Sequence, residues 1–139
     1  YWWYKKRRIP VTRTKYVEPP HIRARRELRG LEAQQYFEKG LVKQHYFVFS
    51  EILRHYLEAI RNFPAAEFTT EEIARHVTTG PDRKLVPLLQ QADLVKFADA
   101  VPTRARKDAD VKAALAYIRE TSPRIESVRE QAHRPEAGK

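Results

Sequence analysis

The sequence predicts an all-α protein: a bundle of about five helices preceded by a basic N-terminal juxtamembrane arm. Three observations predict it. Between about Val42 and Arg61, apolar residues fall at spacings of three and four, the mark of one helical face. Thr69 is followed three residues later by Glu72, the pairing that starts a helix by satisfying its free backbone amides. No segment shows the sustained apolar and polar alternation of a half-buried strand, and no internal repeat is visible.

The chain divides into an arm and linker over residues 1–20, a helical domain over residues 21–122 and a polar tail over residues 123–139. From Ile9 to Pro20, three prolines and several β-branched residues predict an extended linker. A first helix is expected from about His21 to Lys39, with Ala24, Leu28, Leu31 and Gln35 along one side, ended by Gly40 in a left-handed conformation. The second, from about Val42 to Arg61, aligns Phe49, Ile52, Leu53, Tyr56, Leu57 and Ile60 and forms the central core helix. Tyr46, Phe47 and Val48 widen its apolar stripe to nearly two faces, so it is either fully buried or partly a docking surface. Asn62-Phe63-Pro64 stops it.

Thr69 caps a short third helix over about Thr70 to Val77, with Ile73 and Val77 turned inward. Residues 78–82 read as a turn. A fourth helix follows from about Arg83 to Asp99, with Leu85, Leu88, Leu89, Ala92, Val95 and Phe97 as its apolar positions. Pro87 fits near its start, where the amide that proline lacks has no helical partner anyway. The fifth helix, about Lys107 to Thr121, uses Val111, Ala114, Leu115 and Ile118, with Asp108 as its expected cap and Pro102 and Pro123 as its limits. Fraying is expected past Arg134.

The first eight residues carry the sharpest functional signal. Tyr1, Trp2, Trp3 and Tyr4 run directly into Lys5, Lys6, Arg7 and Arg8. Tryptophan and tyrosine collect at the bilayer interface, and lysine and arginine gather beyond it on the cytoplasmic side. No apolar run of about 20 residues, the length of a spanning helix, occurs in the chain. The expectation is therefore a start just after a transmembrane helix in a missing N-terminal part, with Trp2 to Arg8 against anionic lipid headgroups and the domain on the cytoplasmic side of a bacterial inner membrane. An aromatic and basic arm on a soluble protein is the competing explanation.

The distribution of charge supports the first of these. Of the net +9, residues 1–30 hold ten lysines or arginines against two acids, whereas the remaining 109 residues hold 17 cations and 16 acids. A field that steers the body of the protein to a phosphate backbone would have to come from the arm. The absence of cysteine excludes disulfides, thiolate-ligated zinc and thiol catalysis.

Catalytic constellations are hard to find. His21, His45, His55, His76 and His133 lack metal-binding spacing, and the isolated Gly30, Gly40, Gly80 and Gly138 form no phosphate loop, so neither a metal nor a nucleotide cofactor is expected. Glu51 and His55 stand one helical turn apart, which suits a surface contact better than an acid and base pair. Ser50, Ser122 and Ser127 have no nucleophile-elbow context. No enzymatic activity is expected. Residues 68–74 followed by a helix near Arg83 have the outline of a helix-turn-helix, giving a soluble nucleic-acid-binding domain as the alternative function. Its recognition segment would be residues 82–87, with two cations and a proline, which makes nucleic acid an unlikely partner.

Three stretches together, residues 46–58 (YFVFSEILRHYLE), 67–73 (EFTTEEI) and 92–98 (ADLVKFA), resemble the cytoplasmic C-terminal domain of bacterial membrane proteins associated with MoxR-type AAA+ ATPases and von Willebrand factor A proteins, among them BatD-like proteins and accessory proteins of methanol dehydrogenase gene clusters. The resemblance spans roughly residues 19–121. It implies a membrane-anchored accessory protein whose helical bundle faces a cytoplasmic AAA+ ATPase, acting in chaperone-like maturation, metal insertion or envelope stress. It brings no catalytic residues. Within the matching blocks, Arg54, Asp93 and Lys96 are the polar positions expected either to tie helices together, the plainer role, or to contact the partner. Pro87 and the short connection over residues 60–64 depart from the family pattern.

Overall fold

The computed structural model describes residues 17–78 and 80–123. These residues are all helical apart from turns. Helix α1 spans Pro20–Ala33, α2 Val42–Arg61, α3 Thr70–His76, α4 Gly80–Arg83, α5 Leu85–Phe97 and α6 Arg104–Thr121, with a 3-10 turn at Ala65–Glu67 between α2 and α3. Since α4 is a single turn, five helices make the bundle. No described helix is long and apolar enough to cross a membrane.

Helix α2 is the axis around which the others pack. Tyr46, Phe49, Leu53 and Leu57 are wholly enclosed along it, and α1 and α5 flank it. It spans the interval its periodicity predicts and stops at Asn62, whose left-handed φ of 60° turns the chain away. The capping box also forms as expected: the Glu72 amide donates to Thr69 Oγ1 at 3.1 Å and the Thr69 amide to Glu72 Oε1 at 2.8 Å. Ile73 and Val77 face the core.

Several local expectations are corrected. Helix α1 ends at Ala33, six residues early, and Gln35 is exposed with φ 55° instead of continuing the apolar stripe. The next apolar residues, Tyr36 and Phe37, are out of phase with Leu28 and Leu31. They reach the core only because the chain turns, which sets the Phe37 ring edge-on to His45 at 5.4 Å and to Tyr46 at 6.4 Å. Gly40 takes the predicted left-handed conformation, φ 75°, but closes this turn and not a helix.

The predicted turn at residues 78–82 and the start of the fourth helix instead become α4 and α5, with Pro87 in the first turn of α5. Phe97 points outward, 77% exposed, because it lies two residues beyond the buried Val95 and so about 200° around the helix. Helix α6 begins three residues early, capped by Thr103, whose Oγ1 accepts from the Arg106 amide at 3.0 Å. Thr103 directly follows the helix-breaking Pro102, whereas Asp108 lies a turn inside and pairs with Lys107 at 2.9 Å.

Two buried carboxylates lock the bundle. Asp82 of α4 accepts from Arg61 Nε at 2.7 Å, Arg61 Nη2 at 3.0 Å and the Tyr117 hydroxyl at 3.0 Å, joining α2, α4 and α6. Asp110 accepts from the Tyr46 hydroxyl at 2.6 Å and from Arg106 Nε at 3.0 Å. Burial, reinforced by these carboxylates, pushes both tyrosine pKa values far above the ordinary range and keeps the hydroxyls protonated as donors.

Candidate partner-docking site

The seam between α2 and α5 brings together the three polar residues of the matching blocks. On α2, Phe47, Glu51 and Arg54 succeed one another at spacings of four and three and so share one stripe. Along α5, Asp93 and Lys96 occupy one ridge, with Lys96 Nζ 3.8 Å from Asp93 Oδ1. The Lys96 ammonium crosses the seam to lie 5.5 Å from the centre of the Phe47 ring and 5.1 Å from that of Phe97. Two exposed aromatic rings thus bracket a lysine whose own side chain is only 8% exposed.

Arg54 is also buried, and its Nη2 donates to Thr70 Oγ1 at 2.8 Å, tying α2 to the start of α3. Its Nε has no hydrogen-bond partner, and no carboxylate pairs with it among the described residues. Burial, with the nearby Arg54 charge added to it, lowers the Lys96 pKa, against the opposing pull of Asp93 and Glu51. Glu51 also lies 3.4 Å from His55 on the exposed side of α2. The site therefore holds two neighbouring desolvated cations, one loosely placed aspartate and one glutamate turned partly elsewhere. Removing such charges from water costs free energy that their mutual attraction offsets only in part.

Phe47 is 51% exposed and Phe97 77%. Leu94, also 51% exposed, lies two residues from Lys96 and so about 200° around α5 from it. Lys43 and Asp99 pair at 2.6 Å across the end of the seam, where Asp99 adopts φ 59°. Past the other edge of Phe47 lies a groove of about 510 Å³ between α1 and α2, lined by Arg23, Glu27, Leu31, Ile52 and His55 among others. Exposed phenylalanine is enriched at protein interfaces, whereas lysine is depleted there.

The other sequence-derived candidates are dispersed. Trp2, Trp3, Tyr4, Lys5, Lys6, Arg7 and Arg8 lie outside the described residues, as does the polar tail from residue 124. Of the aromatic cluster on α2, Tyr46, Phe49 and Tyr56 are core, and Phe47 alone is presented. Ser50 is fully buried. In the helix-turn-helix outline, Asp82 is buried in its ion pair, Leu85, Leu88 and Leu89 are core and Lys84 pairs with Glu120 at 3.1 Å. Arg83, Lys84 and Pro87 of the same segment are exposed.

Sequence reasoning did not single out the polar cavity of about 300 Å³ where the α1–α2 turn meets α6. There the buried Lys107 ammonium reaches Asp108 at 2.9 Å and Glu32 at 3.3 Å, and sits 5.5 Å from the Phe37 ring. Burial opposes its charge, but these hydrogen bonds hold its pKa above the ordinary lysine value. His45 lines the same cavity with its pKa pushed down to about 4 by burial and, secondarily, by Lys107. A lone histidine and lysine give no sequence signal of such a meeting, because 62 positions separate them. Compared with known proteins, the chain matches no family model, no curated protein and no solved structure.

Proposed function

We propose that this chain is a non-catalytic interaction module. It docks a cytoplasmic protein partner through the α2–α5 seam and belongs to a membrane-anchored accessory protein of the bacterial inner membrane. The observation that carries this is the pair of exposed rings, Phe47 and Phe97, bracketing the buried Lys96 ammonium. Exposing two phenylalanines and desolvating a cation both cost free energy in the isolated domain, and a partner that covers the rings recovers it.

The resemblance of residues 46–58, 67–73 and 92–98 to domains of the MoxR-associated systems makes an AAA+ ATPase the partner to test, in protein maturation or envelope stress. The aromatic and basic residues from Trp2 to Arg8 suit anionic headgroups, since each cation gains about 1 kcal/mol near such a surface.

Two measurements test the reading. The MoxR-type ATPase of the same organism is captured on the immobilised chain, and Phe47→Ala with Phe97→Ala is expected to weaken capture at least about tenfold, the usual size of a hot-spot loss. Sedimentation with anionic liposomes is expected to need residues 1–8 and to persist against duplex DNA. Binding to DNA that ignores the truncation would replace this function with nucleic-acid recognition.

A further inference from the structure

The cations of the seam point to the chemistry of what docks there. Lys96 and Arg54 are each more than nine-tenths buried and act on one another across α2 and α5. Their compensation is incomplete: Asp93 stands 3.8 Å from Lys96 Nζ, Glu51 is drawn to His55, and Arg54 Nε donates to nothing. The Arg54 Nε donor is enclosed and Nη2 is taken by Thr70, so a carboxylate arriving at the seam meets the Lys96 ammonium, whose surroundings the Arg54 charge makes more positive. The Phe47 and Phe97 rings exclude water from a group placed between them, which strengthens a charge-assisted hydrogen bond made there.

We propose that the Lys96 ammonium, backed by the Arg54 charge, accepts an acidic side chain, aspartate or glutamate, presented by a protein partner whose neighbouring apolar residues cover Phe47 and Phe97. This rests on the docking reading above and specifies its partner. A phosphate polymer fits the same place poorly, because Lys43 is already paired with Asp99 and residues 31–139 carry a net charge of only +1. The surrounding surface has apolar area for a protein and too few free cations for a nucleic-acid backbone.

The probe is a blocked pentapeptide of leucine, glutamate, phenylalanine, glutamate and leucine, beside the same peptide with both glutamates replaced by glutamine. Each is titrated into the full chain and followed by nuclear magnetic resonance. The glutamate peptide is expected to bind about tenfold more tightly and to shift the resonances of Lys96, Phe97 and Arg54. Lys96→Met reduces that preference to about twofold or less, and Lys96→Arg keeps it, with circular dichroism checking that each variant is folded. Equal affinity for the two peptides overturns the carboxylate; if Phe47→Ala then weakens both alike, the docking face survives without it. Failure of both peptides to bind also overturns it, leaving ATPase capture to decide the docking reading independently.

Discussion

Replacing Arg61 by leucine tests the tertiary logic of the bundle, because the two ends of its ion pair sit in different solvents. The Asp82 side chain is 3% exposed and that of Arg61 is 36% exposed. Arg61→Leu removes two charge-assisted hydrogen bonds, at 2.7 and 3.0 Å, from a carboxylate that water cannot reach. Breaking a buried pair from that side costs about 3–5 kcal/mol, and the part exposure of Arg61 places this case near the lower figure. Asp82→Asn removes the charge instead, but the amide oxygen still accepts from Tyr117, and Arg61 swings partly into water. Its cost is about 1–2 kcal/mol. Tyr117→Phe deletes one hydroxyl donor, for about 1 kcal/mol.

Urea unfolding at pH 7, followed by circular dichroism, gives all three values when the slopes stay equal to wild type. At about 4–8 °C per kcal/mol for a domain near this size, Arg61→Leu also lowers the thermal midpoint by about 12 °C or more. If Asp82→Asn costs as much as Arg61→Leu, or if both cost under about 1 kcal/mol, the clamp joining α2, α4 and α6 does not hold the bundle as described.

Other outcomes follow from the same geometry. Phe49→Ala removes a wholly buried ring and is expected to cost about 3–5 kcal/mol, against less than about 0.5 for the exposed Phe97→Ala, both measured by urea unfolding. Thr69→Ala removes the acceptor that caps α3 and costs about 1 kcal/mol; a value near zero would mean that tertiary packing alone fixes that helix start. The neutral His45 imidazole, its folded pKa about 4 against an ordinary 6.5, contributes stability that is complete above pH 6.5 and is lost as pH falls toward 4. The whole effect is about 3 kcal/mol, so His45→Leu flattens the stability profile over that interval, and an unchanged profile would count against burial as the cause. Lys96→Met leaves stability unchanged or slightly higher, because it removes a desolvated cation beside Arg54; a loss above about 1 kcal/mol in urea unfolding would make Lys96 a structural residue.

Much of the fold was legible because its signals are local. The spacing of Phe49, Ile52, Leu53, Tyr56 and Leu57 requires one covered helical face, and Thr69 with Glu72 encodes a helix start within four residues. Asn62 and Gly40 mark left-handed positions that end α2 and the α1–α2 turn. Of the candidate site, the residue types of Arg54, Asp93 and Lys96 were visible, but not their surroundings. Arg54 and Lys96 are 42 positions apart, and the sequence does not say that both lose water on meeting.

The sequence by itself therefore determined an all-helical chain, its central helix, most of its helix boundaries and the concentration of positive charge in the first 30 residues. Each follows from hydrogen bonds, periodicity or charge counted over neighbours in the chain. Only the tertiary structure decided that α1 breaks so that Tyr36 and Phe37 can pack, that Phe97 faces outward while Phe49 is enclosed, and that Asp82 is buried between Arg61 and Tyr117. It also decided that Lys96 rests between two exposed rings. The physical reason is desolvation: whether a side chain is core, clamp or docking surface depends on which distant element removes its water, and periodicity records only that some face is covered.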